Sequence, residues 1–150
     1  MKIIVSACLL GIHCRYNGEC SADERILPLF EEHELIPVCP EQLGGLSTPR
    51  DPDEIKDGKV FDSQGIDNSE YFKRGAEEVL KTAKLFGAKY AILKERSPSY
   101  GSFFIYDGTF TGKVIPGEGI TSSLLRKNGI IVFSEENFDS EELHKMRKIN

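Results

Sequence analysis

The chain has 150 residues, 39% hydrophobic and 29% charged, with a formal net charge of -5. That length predicts one domain over residues 1–150, able to bury a core without disulfide staples. The acidic balance argues against general attraction to nucleic acid, and no run nears the ~18 apolar residues of a membrane span. The apolar start could pass for a weak signal peptide, but removing it would delete a strand and a cysteine, so a cytoplasmic location is expected.

Lys2–Ala7 is short, apolar and β-branched and predicts a first strand. An irregular stretch from Gly11 to Ser21 follows, and Asp23 to about His33 is expected to be helical. Leu35–Val38 predicts a second strand, ended by Cys39-Pro40. Glu41 to Asp67 is a long Gly-, Pro- and Asp-rich segment, of the kind that is usually functional, with Lys59–Phe61 as a short extended piece. Asp67 to Phe86 predicts a helix, with Asp67 and Glu70 as a capping box and Gly87 as the stop. Tyr90–Lys94 predicts a third strand. Around Asp107-Gly108, Phe103–Tyr106 and Thr109–Val114 predict a hairpin. Gly119–Asn128 predicts a helix and Ile130–Phe133 a fourth strand. Asp139 with Glu142 predicts the cap of a last helix. Strands alternating with helices call for an α/β three-layer sandwich, Rossmann-like, with a small, mostly parallel four-stranded sheet.

In such a sheet ligands gather at the carboxyl ends of the strands. Three loops should open there: Cys8–Gly18, Cys39–Arg50 and Ser97–Gly101. The first offers Cys8, Cys14, Arg15 and Tyr16, and the second Cys39, Glu41, Gly44, Gly45 and Arg50. The third offers Ser97 and Ser99 near Gly101, whose small size permits close backbone approach to a ligand. All four cysteines (8, 14, 20 and 39) fall in the first 39 residues, a clustering that suits a ligand site in a reducing compartment better than disulfides. Cys20 has no assigned role. The turn Gly117-Glu118-Gly119 leads into a helix whose amides could hold an anion, or is a plain loop.

Several of these motifs, in this order, resemble the DUF523 family of thiouracil desulfidase-like proteins. They are Ser6–Gly11, Cys14-Arg15-Tyr16, Cys39-Pro40-Glu41 through Leu46, Pro49-Arg50, Lys94–Ser99 and Gly112–Gly129. The resemblance implies a desulfurase with a [4Fe-4S] cluster on three cysteines and a fourth iron open to a thiocarbonyl sulfur. It further implies Cys8 and Cys39 as ligands, Glu41 as the catalytic carboxylate and Ser97 as a positioning or proton-relay group. A small-molecule thiolated nucleobase would be the partner, with Arg15, Tyr16, Gly44, Gly45, Arg50, Ser99 and Tyr100 around it.

The family's loop normally reads Ser-Pro-Ser-Cys-Gly, and Tyr100 stands where its cysteine should be the third ligand. Three readings stay open: Cys14 substitutes, Tyr100 itself ligates iron, or the cluster is lost. In the last case the rim would bind an anion or nucleobase without turnover. A zinc site from Cys8, Cys14, Cys39 and His13 or Cys20 is a further alternative, without the paired Cys-x-x-Cys spacing typical of structural zinc.

Overall fold

Ile3, Ile4 and Val5 are fully buried, so the first strand lies at the centre of a sheet rather than on its edge. The computed structural model describes residues 1–139, 141 and 143. Strands β1 (Lys2–Ser6), β2 (Glu34–Val38), β5 (Tyr90–Leu93) and β8 (Ile131–Ser134) form a parallel sheet in the order β2-β1-β5-β8. These are the four expected strands, within one or two residues.

Alternation along the strands separates two cores. Ile3, Val5, Tyr90 and Ile92 pack with Leu9, Ile26, Leu29 and Leu143 on one face. Ile4, Ala91, Leu93 and Val132 pack with Val79, Ala83 and Leu125 on the other. The second face is covered by helices α2 (Ser69–Phe86) and α3 (Ile120–Lys127). Over the first face the expected helix from Asp23 to His33 is only a 3-10 turn, Leu27–Glu31. Pro28 explains this, since it lacks the N–H that an α-helix would bond to Glu24. Asp23 instead folds back on Arg25, taking its backbone N–H at 3.0 Å and its guanidinium at 2.6 Å.

The helix α2 begins at Ser69, not Asp67, and the expected capping box does not form. Asn68 is its N-cap without a side-chain cap bond, while Asp67 Oδ1 accepts the Ser69 N–H at 2.9 Å. The Asn68 side chain is spent elsewhere, on Asp53. Gly87 ends the helix at φ 70° as expected. Glu142, and with it the predicted last cap, lies outside the described residues.

Two small hairpins sit beside the main sheet. β3 (Asp53–Lys56) pairs with β4 (Lys59–Asp62) across Asp57-Gly58, both at positive φ, and only the second strand was expected. β6 (Phe104–Tyr106) pairs with β7 (Val114–Pro116). The second strand of that hairpin therefore starts at 114 and not 109, because Gly108 and Phe110 bond to Glu54 instead of to β6. A short helix α1 (Pro40–Leu43) follows β2 and packs on α2 at van der Waals limits. A Cβ on Gly75 would stand 1.9 Å from the Pro40 carbonyl oxygen, and one on Gly44 would stand 2.0 Å from that of Tyr71. Only glycine permits this approach.

Candidate functional site

The ends of β1, β2 and β5 open on a cleft of about 580 Å³. Its lining includes Cys8, Cys14, Arg15, Tyr16, Cys39 and Glu41, with Arg50 and Ser97. The three expected loops thus meet at one rim. A more open depression beside β8, of about 700 Å³, is larger. Its charged groups are an already paired Arg126 and Glu118, so the reactive side chains belong to the cleft.

Cys8 lies in a 3-10 turn (Ala7–Leu10) that continues β1, and Cys39 directly follows β2. Cys14 reaches them from the first loop. All three are free thiols on one cleft, and hydrogen bonding of Cys14 with Cys8 and with Cys39 shifts their acidities. The Cys39 thiol also approaches the Cys14 carbonyl at 3.8 Å. The Cys14 bond, outweighing burial, pulls Cys8 down, with help from nearby Lys94. Cys14 is pulled down by Cys39, but its bond to Cys8 and burial prevail and raise it to about 11. The bond to Cys14 and burial push Cys39 up. Cys8 is therefore the thiol of the three that ionises most readily, whereas Cys14 and Cys39 hold their protons more tightly.

Among the described residues, no three His, Cys, Asp or Glu side chains close around a single metal ion. The zinc alternative gains no preformed site, since His13 is exposed and Cys20 does not line the cleft. Three free thiols lining one cleft suit a cluster, whose ligands sit on separate irons and whose irons favour thiolate.

Glu41, at the start of α1, faces Arg50 across the second loop. The guanidinium gives Oε2 two donors, Nε at 3.0 Å and Nη2 in a closer contact. Among the described residues, Oε1 receives only a long contact, from Ser99 Oγ at 3.5 Å. Arg50 also donates to the carbonyls of Cys14 and Ser47, each at 3.1 Å, and to Thr48 Oγ1 at 2.9 Å. Its side chain is 6% exposed. It ties the carboxylate to the cysteine loop, as well as lining the cleft.

The third loop is closed on itself. Ser97 Oγ accepts the N–H groups of Ser99 and Tyr100 at 3.1 and 3.2 Å. Tyr100 is buried, and its hydroxyl donates to the Val38 carbonyl at 2.5 Å. Burial, with Cys39 and Cys8 nearby, holds that phenol well above its ordinary range. To ligate iron it would have to abandon this bond and ionise at a buried position. The amides opening α3 are taken as well: Ile120 bonds to Pro98 O, and Thr121 and Ser122 bond to Ser99 O. The possible anion site at that turn is therefore filled by the protein itself.

Of the expected substrate-contacting residues, Arg15, Tyr16, Arg50 and Tyr100 line the cleft, whereas Gly44, Gly45 and Ser99 do not. Gly44 and Gly45 face Tyr71 on α2, and Ser99 is fully buried behind Glu41. The sequence reading passed over the opposite side of the site. Asp53 and Glu54 on β3, Lys94 to Arg96 after β5, Tyr106 on β6 and Phe110 all line the cleft. Glu95, nearly fully buried, accepts the N–H groups of Ser102, Phe103 and Phe104 at 2.8, 3.1 and 3.1 Å. It anchors the approach to β6.

Known proteins resemble this chain over nearly its whole length. Residues 3–137 match the family model for 2-thiouracil desulfurase. A Bacillus subtilis (strain 168) protein, YbbK, described as uncharacterized, is 46% identical over 147 residues, covering 91% of this chain and 97% of its own. A solved structure of the [4Fe-4S]-dependent thiouracil desulfidase TudS superposes with a TM-score of 0.91 at 43% identity, covering 99% of each chain.

Proposed function

Because the chain belongs to the 2-thiouracil desulfurase family, we propose that it removes sulfur from a thiolated pyrimidine, converting thiouracil to uracil. We assign its [4Fe-4S] cluster to Cys8, Cys14 and Cys39. The observation that carries this reading is the three free thiols of Cys8, Cys14 and Cys39 lining the same cleft as Glu41 and Ser97. When bound, such a cluster with one iron free of protein ligand supplies a thiophilic Lewis acid for the thiocarbonyl sulfur. Free thiols on this rim call for a reducing compartment, which the cytoplasm provides.

The chain's own groups supply the rest. Glu41 takes the proton of the water that attacks the ring carbon, as a general base. Arg50 occupies Oε2 of that carboxylate and leaves Oε1 the less encumbered oxygen. Ser97 Oγ already accepts two amide N–H groups, so its own hydroxyl proton is the one available to a substrate on the cleft. Arg15 lies over the Tyr16 ring at 6.0 Å from its centroid, making a cationic and aromatic edge at the cleft. Tyr100 acts as a strut that holds the third loop to β2.

The test is a desulfuration assay on anaerobically reconstituted protein, following loss of thiouracil and appearance of uracil and sulfide. Turnover that depends on added iron and sulfide is the expected result. A fully loaded protein that releases no uracil would overturn the proposal.

A further inference from the structure

Phe110 sits at φ 58°, a left-handed backbone that a bulky side chain adopts only when its surroundings impose it. Glu54 on β3 imposes it. One carboxylate oxygen, Oε1, accepts the N–H of Gly108 at 3.0 Å and that of Phe110 at 3.2 Å. Between β6 and β7 the chain also presses on β3, where a Cβ on Gly108 would stand 2.7 Å from that of Lys56. Asp107 fixes the turn from within, accepting the Thr109 N–H at 2.9 Å.

The fold itself gains little from an aromatic ring at this position. Phe110 is 37% exposed and belongs to neither core. Yet Phe110 and Tyr106 both line the cleft that holds Cys8, Cys14, Cys39 and Glu41. A strained backbone, a buried carboxylate that holds it, and a half-exposed ring on the cleft share one explanation. We propose that the β6–β7 tip is the ring-binding wall of the site, with Phe110 the specificity-determining residue that stacks a flat heterocycle and Glu54 the residue that positions it. This rests on the thiolated pyrimidine proposed as substrate. Flat, conjugated rings stack on aromatic faces, whereas puckered rings of similar polarity do so poorly.

Calorimetric titration of the reconstituted full chain with uracil, and with the puckered analogue dihydrouracil, tests this. Uracil is a fit probe because it carries no sulfur to lose. Wild-type protein should bind uracil at least fivefold more tightly than dihydrouracil. Phe110→Gly, which relaxes the backbone at φ 58°, should erase that preference while Tm holds or rises. Phe110→Tyr should keep the preference. Glu54→Ala should weaken uracil binding in the wild-type background and change it no further in Phe110→Gly, although it lowers Tm in both. An unchanged uracil preference in Phe110→Gly would overturn the wall, as would additive losses for Glu54 and Phe110. A protein that shows the preference but never releases sulfide would support the wall and contradict the desulfidase reading. Failure to bind either ring would overturn the wall and the substrate class together.

Discussion

Two loops on the same rim carry their polar groups in opposite ways. In the Ser97–Gly101 loop nearly every donor and acceptor is spent inside the protein: Ser97 Oγ on two amides, Ser99 O on the start of α3, and the Tyr100 hydroxyl on Val38. On the cysteine side of the rim, Cys8, Cys14 and Cys39 are free thiols lining the cleft, and the Cys39 sulfur makes a long contact with the Cys14 carbonyl at 3.8 Å. One loop is scaffold and the other is poised for a ligand. Tyr100 ties the third loop to β2 through Val38. Under the proposed cluster assignment, Cys14 supplies the third thiolate in place of the cysteine expected at position 100.

The largest expected effect separates Glu41 from its supports. Glu41→Gln keeps the shape of the site but loses the proton acceptor, so kcat should fall by about 10²-fold or more, with iron content unchanged. Equal activity in the variant would move the base to another group.

Gly75→Ala sharpens the comparison from behind the site. Its Cβ would meet the Pro40 carbonyl at 1.9 Å, one residue from Glu41. Overpacking of this kind costs about 1–3 kcal/mol, and urea denaturation should show it despite the better helix propensity of alanine. Activity should fall with it, because α1 must shift and carry Glu41 away from Arg50. A stable, fully active variant would show that α1 has slack.

The smallest effect concerns Asp53, whose Oδ1 accepts the Asn68 amide at 2.9 Å. Burial raises it to about 6, the Asn68 and Arg50 contacts opposing and the Glu41 and Asp62 charges adding to the rise. The folded protein thus holds this proton more tightly than the unfolded chain. Its contribution to stability is complete below about pH 4 and is lost as pH rises through about 6. Asp53→Asn should therefore gain about 1–2 kcal/mol at pH 7.5 and nothing at pH 3.5, as read from urea midpoints. A gain of the same size at both values would contradict the assignment.

Much of this molecule was legible beforehand, for identifiable reasons. Buried parallel strands such as β1 and β5 are near-continuous apolar runs, and α2 repeats its apolar residues at helical spacing. Their ends place the three loops, and hence the cysteines and Glu41. The helix expected from Asp23 fails because Pro28 cannot supply the N–H that an α-helix needs there. β3 was missed although Asp57-Gly58 is a strong two-residue hairpin signal. Gly44 and Gly45 were expected around the substrate, yet both face Tyr71 and Gly44 serves the packing of α1 on α2, a long-range contact that local sequence does not announce. Phe110 was hidden for a similar reason, since Glu54, more than fifty residues earlier, decides where it goes. The buried role of Tyr100 depends on Val38 in the same way.

The division between a ligand-ready loop and a scaffold loop is tested most directly by iron and acid-labile sulfide analysis of reconstituted Cys14→Ser beside Tyr100→Phe. Wild-type protein and Tyr100→Phe should each carry about four irons and four sulfides per chain, with Tyr100→Phe losing only about 1 kcal/mol of stability for its missing hydrogen bond. Cys14→Ser should lose most of both. Full loading of Cys14→Ser together with loss of iron from Tyr100→Phe would contradict the assignment and make the tyrosine the ligand.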